Sequence, residues 1–473
     1  MIPGRVVTVS PPETAASIPQ RIRRAWLRKG WLKPFRNAGV LALGGGAQGL
    51  IQLAAIALAT QALGAAGFGT LVLLDSARRF VGGVIRLRSK DVIMRFGARA
   101  LQEAAAPGAF NRVLSFAVWL DVLSALAAAS AIVLAMGTVV AWLNMPPGLA
   151  DEARIYGTCV VFVALSSSAE ALLRLFERFD LVAARNVIAP SIQVIGGALA
   201  LVVGGGLTFF LAVWFTAYAI ARLVLIGMAL WELRRRRRLH GLSLHPSYLG
   251  GPEAGAWRFA VATNTMNILG KVREHGTTFI VGALLDPAAV GLVHIAQRLG
   301  KMPRKPVSKI LTPAFFPEIA HQTASGKHRK RHKTVWRSTL VVGAFGALLF
   351  TLLAVFGKTL LAVLFGPAFT EAYPVMLLFA AGSVVGTLTF AVRPVLLSAG
   401  RVRILLATGI SMAILRVGLL FVLIPSFGLS GAALAELIAA VMVTLVVVPA
   451  ARQELRRPRD AVPVATSSDT HSV

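Results

Sequence analysis

The chain has 473 residues, 56% of them hydrophobic and only 15% charged. Soluble domains keep roughly a quarter of their residues charged, so a single water-soluble globule is excluded and much of this surface must face lipid. The net charge of +29 raises nucleic acid as a partner, but the positions of the basic residues fit membrane topology better, and no nucleic-acid partner is expected.

The chain opens with a basic segment, residues 1–37, holding Arg21, Arg23, Arg24, Arg28, Lys29, Lys33 and Arg36. The apolar stretch behind it is too long for the core of a cleaved signal and reads as a retained first span. About 20 apolar residues cross a bilayer as a helix. That rule predicts spans at Ala38–Leu63, Phe68–Ser89, Val113–Leu143, Ile155–Leu175, Val182–Val203 and Leu207–Trp231. It then predicts Trp257–Leu285, Ala288–Leu311, Thr339–Phe356, Ala372–Leu397, Ile404–Ile424 and Leu429–Ala450. The second, seventh and eighth carry several charges, which a plain hydropathy scan would penalise. The expected fold class is therefore an all-α polytopic membrane protein of about 12 transmembrane helices.

The loops test that count. With the N-terminus inside, the outward loops fall near 64–67, 144–154, 204–206, 286–287, 357–371 and 425–428, and their basic residues are Arg154 and Lys358. The inward segments hold Arg95, Arg99, Arg112, Arg174, Arg178, Arg185, the run Arg234 to Arg238, the cluster Lys327 to Lys333, Arg401 and Arg403. This is the positive-inside pattern, and it predicts both termini in the cytoplasm. The longest inward loop, 232–256, would link two six-helix lobes, 38–231 and 257–450, with a cytoplasmic tail at 451–473. The halves also match weakly: LGAAGFG from Leu63 and LDPAAVG from Leu285 align at an offset of 222, as do Gly206-Leu207 and Gly428-Leu429. Transporters built from such repeats hold substrate between them.

Charges at bilayer depth normally face a bundle interior or a wet cavity. Helical spacing puts Asp75, Arg79, Arg86 and Lys90 on one face of the second span, with Gly82 and Gly83 at its border. In the seventh span Asn264, Asn267, Lys271, His275 and Thr278 form a polar stripe beside Glu274, and the eighth adds Gln297 and Arg298. Arg393 lies in the tenth span and Arg416 in the eleventh. Such cations would line an anion-attracting cavity, and the planar guanidinium fork suits phosphate oxygens. Arg79, Arg86, Lys271, Arg298, Arg393 and Arg416 are the candidates for contact with a phosphate or diphosphate. Asn264, Asn267, Thr278 and Gln297 are candidate polar lining, and Asp75, Glu274 and His275 are candidates for ion coupling. No GxxxxGK[ST] loop, no zinc-type Cys/His spacing and no base beside Ser166-Ser167-Ser168 occurs in the sequence. Neither an enzymatic activity nor a cofactor or metal is expected, and the single cysteine, Cys159, reads as a core residue.

Several stretches resemble a known family. LGAAGFGTLVLLDSARRF, RLRSKDVIMRF, LLRLFERFDLVAARNV, LFGPAFTEAYPVMLLFAAG, PVLLSAGRVR and GLSGAALAELIAA resemble the polysaccharide transporter family. It includes O-antigen and exopolysaccharide flippases and lies within the multidrug/oligosaccharidyl-lipid/polysaccharide exporter superfamily. The resemblance implies two pseudo-symmetric six-helix lobes in the inner membrane. It also implies translocation of an undecaprenyl-diphosphate-linked oligosaccharide, with membrane lipids, a glycan polymerase and glycosyltransferases as partners. A multidrug extrusion-type antiporter, a lipid II flippase and a non-transporting scaffold for glycan assembly are the alternatives.

Overall fold

The computed structural model describes residues 20–102, 108–236, 245–253, 255–304, 328–390, 395–396 and 402–456. Arg393, residues 305–311 of the eighth predicted span and residue 397 of the tenth lie outside these. Nine helical stretches among the described residues are long and apolar enough to cross a membrane. The first of them belongs to helix α1 (Gln20–Ile85), which is broken at Gly64, where φ is 65°. A side chain strains that left-handed backbone and glycine does not, so one continuous helical run becomes two spans. Two further helices, α10 (Ala256–Leu284) and α11 (Pro287–Gly300), carry the charges foreseen in the sequence. They bring the spans among the described residues to about twelve.

The N-terminal lobe continues through short helices α2 (Ser89–Val92) and α3 (Ala98–Gln102), then α4 (Ala109–Trp142). The fourth predicted span is three pieces: α5 (Leu149–Gly157), α6 (Val160–Leu165) and α7 (Ser167–Leu175). Hydroxyls at its breaks compete for backbone carbonyls: Thr158 donates to the Ile155 carbonyl and Ser166 to that of Val163. Helix α5 also occupies part of the stretch expected as a loop at 144–154, because the turn is confined to Asn144 (φ 51°) and Pro146-Pro147. Helices α8 (Phe179–Val203) and α9 (Leu207–Arg235) close the lobe.

The second lobe comprises α10, α11, α12 (His328–Phe365), α13 (Tyr373–Thr387), α14 (Val402–Phe427) and α15 (Leu429–Arg456). Helix α12 runs through the loop expected at 357–371. Gly357 is not a break; it admits Met376, whose Cε would lie 2.4 Å from an added Cβ. The chain turns instead at Gly366, where φ is 101°. Helices α9 and α15 start at Leu207 and Leu429, 222 residues apart, the offset seen in the sequence.

The second arm of α1 is the axis of the molecule. It packs against α10 over its length: Leu73 meets Gly282, and Gly83 meets the Lys271 stem. At the end of the bundle distal to the termini it approaches α11 backbone to backbone. A Cβ on Gly69 would lie 1.6 Å from the Pro287 carbonyl oxygen, and one on Gly291 would lie 2.5 Å from that of Ala65. Asp286 and Pro287 set this approach: the Asp286 carboxylate caps α11 by accepting from the Ala289 amide at 2.6 Å. Gly69 and Gly291 are also equivalent positions of the two sequence repeats. Beside them Phe68, fully buried, meets His294 and Phe369 edge-on at 5.9 and 6.3 Å between ring centroids.

Candidate functional site

Asp75 and Arg79 form the ion pair that their i,i+4 spacing predicts, at 2.6 Å. Asp75 also accepts from Arg78 at 2.6 Å and from the Tyr156 hydroxyl at 2.7 Å. Arg78 is buried, and its guanidinium lies 4.4 Å from the Tyr218 ring centroid, within cation–π range. Arg79 reaches the Tyr218 hydroxyl at 2.8 Å yet keeps 46% of its side chain exposed. One arginine is thus built into the lobe and its neighbour projects from it. Arg78, Tyr156 and Tyr218 escape a reading by helical face alone. Tyrosine scarcity was the available signal, since only four occur in the chain and two of them meet at this ion pair.

Facing this group from the second lobe, Lys271 pairs with Glu274 at 2.6 Å, and Glu274 is 55% exposed. His275 is buried, and its Nε2 has no hydrogen-bond partner among the described residues. The charges of Arg79, Lys271, Glu274 and His275 lie close enough to act on one another, and Arg298 is near enough to Arg79 for mutual repulsion. Arg298 makes no hydrogen bond or ion pair among the described residues. Arg416 is committed elsewhere: it pairs with Glu436 and donates to the Thr277 hydroxyl at 2.7 Å. Lys301 approaches the same Glu436 at 3.9 Å.

Several predicted residues fall differently. Asn264 and Asn267 donate at 2.9 Å to the carbonyls of Val84 and Gly83. Those carbonyls lie in the last turn of α1, where helix geometry leaves acceptors unfilled, so the two amides join the lobes and are not spent on a cavity. Thr278 and Gln297 are half-buried and make no side-chain hydrogen bond among the described residues. Arg86 and Lys90 do not extend the Asp75 face. The helix is interrupted at residues 86–88, and Lys90 turns into the N-terminal lobe to bond Glu170 at 2.9 Å.

Glu170 is the hub of a second cluster. Besides Lys90, it accepts from Arg174 at 2.8 Å and Arg185 at 2.9 Å, with Arg222 at 3.9 Å. Asp121 nearby accepts from the Ser89 hydroxyl and, at 2.8 Å, from the Ser168 amide. Arg86 lies within electrostatic reach of both carboxylates but has no side-chain partner among the described residues.

Two helical lobes meeting along a charged seam define a two-lobed α-helical membrane bundle. The chain belongs to the polysaccharide biosynthesis protein family, whose model matches residues 109–374, as the sequence motifs led one to expect. It is 27% identical over 358 residues to the inner membrane protein YghQ of Escherichia coli (strain K12), covering 74% of this chain and 97% of that one. In fold it is similar to the inward-facing form of a multidrug resistance MATE family transporter of the MOP superfamily. That match has TM-score 0.69 and 11% identity, over 88% of this chain and 94% of the other. It is also similar to the lipid II flippase MurJ in an inward closed conformation, with TM-score 0.64 and 11% identity over 88% of each chain. The two pseudo-symmetric six-helix lobes expected from the sequence are the architecture of this fold.

Proposed function

We propose that this protein is a flippase that carries an undecaprenyl-diphosphate-linked oligosaccharide from the cytoplasmic to the periplasmic leaflet by alternating access. The observation that carries the reading is Arg298. Among the described residues it has no counter-ion, and it lies at the lobe seam opposite the half-exposed Arg79. An unpaired charge in a low-dielectric seam costs several kcal/mol, in round terms, and a substrate anion offsets that cost. The diphosphate would meet Arg79, Arg298 and Lys271, the sugars would cross between the lobes, and the polyprenyl tail would stay in lipid. Arg416, held by Glu436 and Thr277, would shape the site and not touch the anion first. A cation excess also disfavours the cationic substrates of a drug antiporter. Membership in a polysaccharide biosynthesis family supports a glycan cargo and glycosyltransferases and a polymerase as pathway partners.

The positive-inside pattern supports an inner-membrane location with both termini cytoplasmic. Ion coupling, if it accompanies transport, falls to Glu274 and His275, because Asp75 is already engaged by three donors. Transport indifferent to imposed proton and sodium gradients would remove that element.

The test uses proteoliposomes and a fluorescent lipid-linked oligosaccharide. Arg298→Gln is expected to slow translocation at least about tenfold, the effect of losing one charge-assisted contact of about 1.5–3 kcal/mol. Arg298→Lys should retain part of the rate. Wild-type translocation by Arg298→Gln overturns the reading.

A further inference from the structure

We infer that the N-terminal lobe holds a second anion site, centred on Glu170 and separate from the lobe seam, that takes a phosphoryl group. Glu170 now occupies it as an internal stand-in. Four elements converge there: Lys90 comes from α2, Glu170 and Arg174 from α7, Arg185 from α8 and Arg222 from α9. Four cations within 4 Å of one carboxylate leave a surplus of three positive charges, and Arg86 adds a fourth that Asp121 offsets only across space.

The donors are unspent as well as the charge. Arg185 Nε is buried without a hydrogen-bond partner among the described residues. Arg222 comes no closer to Glu170 than 3.9 Å, beyond hydrogen-bond length. Arg86 has no side-chain partner among the described residues. A carboxylate offers two oxygens to this array, whereas a phosphoryl group offers three and up to two charges. Bidentate guanidinium contacts to phosphate follow from that geometry. A purely structural ion pair would need one cation, not four. The site is reachable, because Lys90 and Arg174 keep 33% and 31% of their side chains exposed. It lies toward the termini end of the lobe. Arg222 and Arg86 are mutually close and Arg222 is within reach of Arg78, so the cations continue toward the Asp75 group. The site is placed to receive a phosphoryl group before it reaches the seam.

Two sources share this chemistry: the headgroup of an anionic phospholipid and the diphosphate of a lipid-linked sugar. The test measures inorganic pyrophosphate binding to the full chain in an uncharged detergent by equilibrium dialysis. Two equivalents are expected for wild type. Arg222→Gln, which leaves all three short contacts of Glu170 intact, should lose one equivalent. Glu170→Gln should bind at the same site at least threefold more tightly, because the stand-in charge is gone. Arg298→Gln should keep the N-terminal equivalent, so failure of the seam reading leaves this one standing. Displacement by phosphatidylglycerol in nanodiscs identifies a lipid headgroup; displacement by undecaprenyl diphosphate alone identifies the carrier. Arg222→Gln and Glu170→Gln proteins that bind pyrophosphate like wild type overturn the site.

Discussion

The two ends of the lobe seam are closed by different means. At the distal end Gly69 and Gly291 bring backbone against backbone, and Phe68 is locked among His294 and Phe369. At the termini end the seam is held by two amide hydrogen bonds, Asn264 to Val84 and Asn267 to Gly83, beside the half-exposed Arg79 and Glu274. Close packing is lost all at once when surfaces part. A hydrogen bond next to water is exchanged for another at a net cost of about 1 kcal/mol. The difference predicts that the termini end opens before the distal end.

That contrast can be broken at three places, in order of expected effect. Phe68→Ala should be the largest, because truncating a buried phenylalanine costs about 3 kcal/mol. Spin labels placed across the distal end are expected to show a population with that end open, about a hundredfold enriched. An unchanged distance distribution would mean that Phe68 does not hold the seam. Gly69→Ala comes next, since its methyl would overlap the Pro287 carbonyl and overpacking costs about 1–3 kcal/mol. The same labels should move in the same direction by less, and Gly291→Ala should match it, as the repeat relation requires. The paired change Asn264→Ala with Asn267→Ala is the smallest, about 1 kcal/mol, because water replaces the lost donors as that end opens. It should raise thiol-reagent access to a cysteine placed at Gly270, where a side chain has open space, without altering the distal distances. If distal distances change too, the two ends are not independent.

The glycine pair also shows what a weak internal repeat can mean. Gly69 and Gly291 align at the offset of 222 residues, yet alignment alone does not say that equivalent positions touch. They touch because the repeats face each other across an axis that passes near both, and residues close to such an axis meet their own equivalents. Arg79 and Arg298 lie within electrostatic reach across the seam without being equivalent, since the offset of 222 pairs Arg79 with Lys301.

The sequence by itself determined the spans, their charged exceptions and the Asp75–Arg79 pair. Hydropathy and helical spacing are local properties that a one-dimensional reading captures. It also placed Lys271, Glu274 and Arg298 at bilayer depth. Tertiary structure alone decided which charges are spent and which stay available. Asn264 and Asn267 are drawn to orphan carbonyls of α1, Arg78 is buried between two tyrosines, and Glu170 gathers cations from three other elements. A charge's role depends on its distance to partners far along the chain, and no periodicity within one helix encodes that distance.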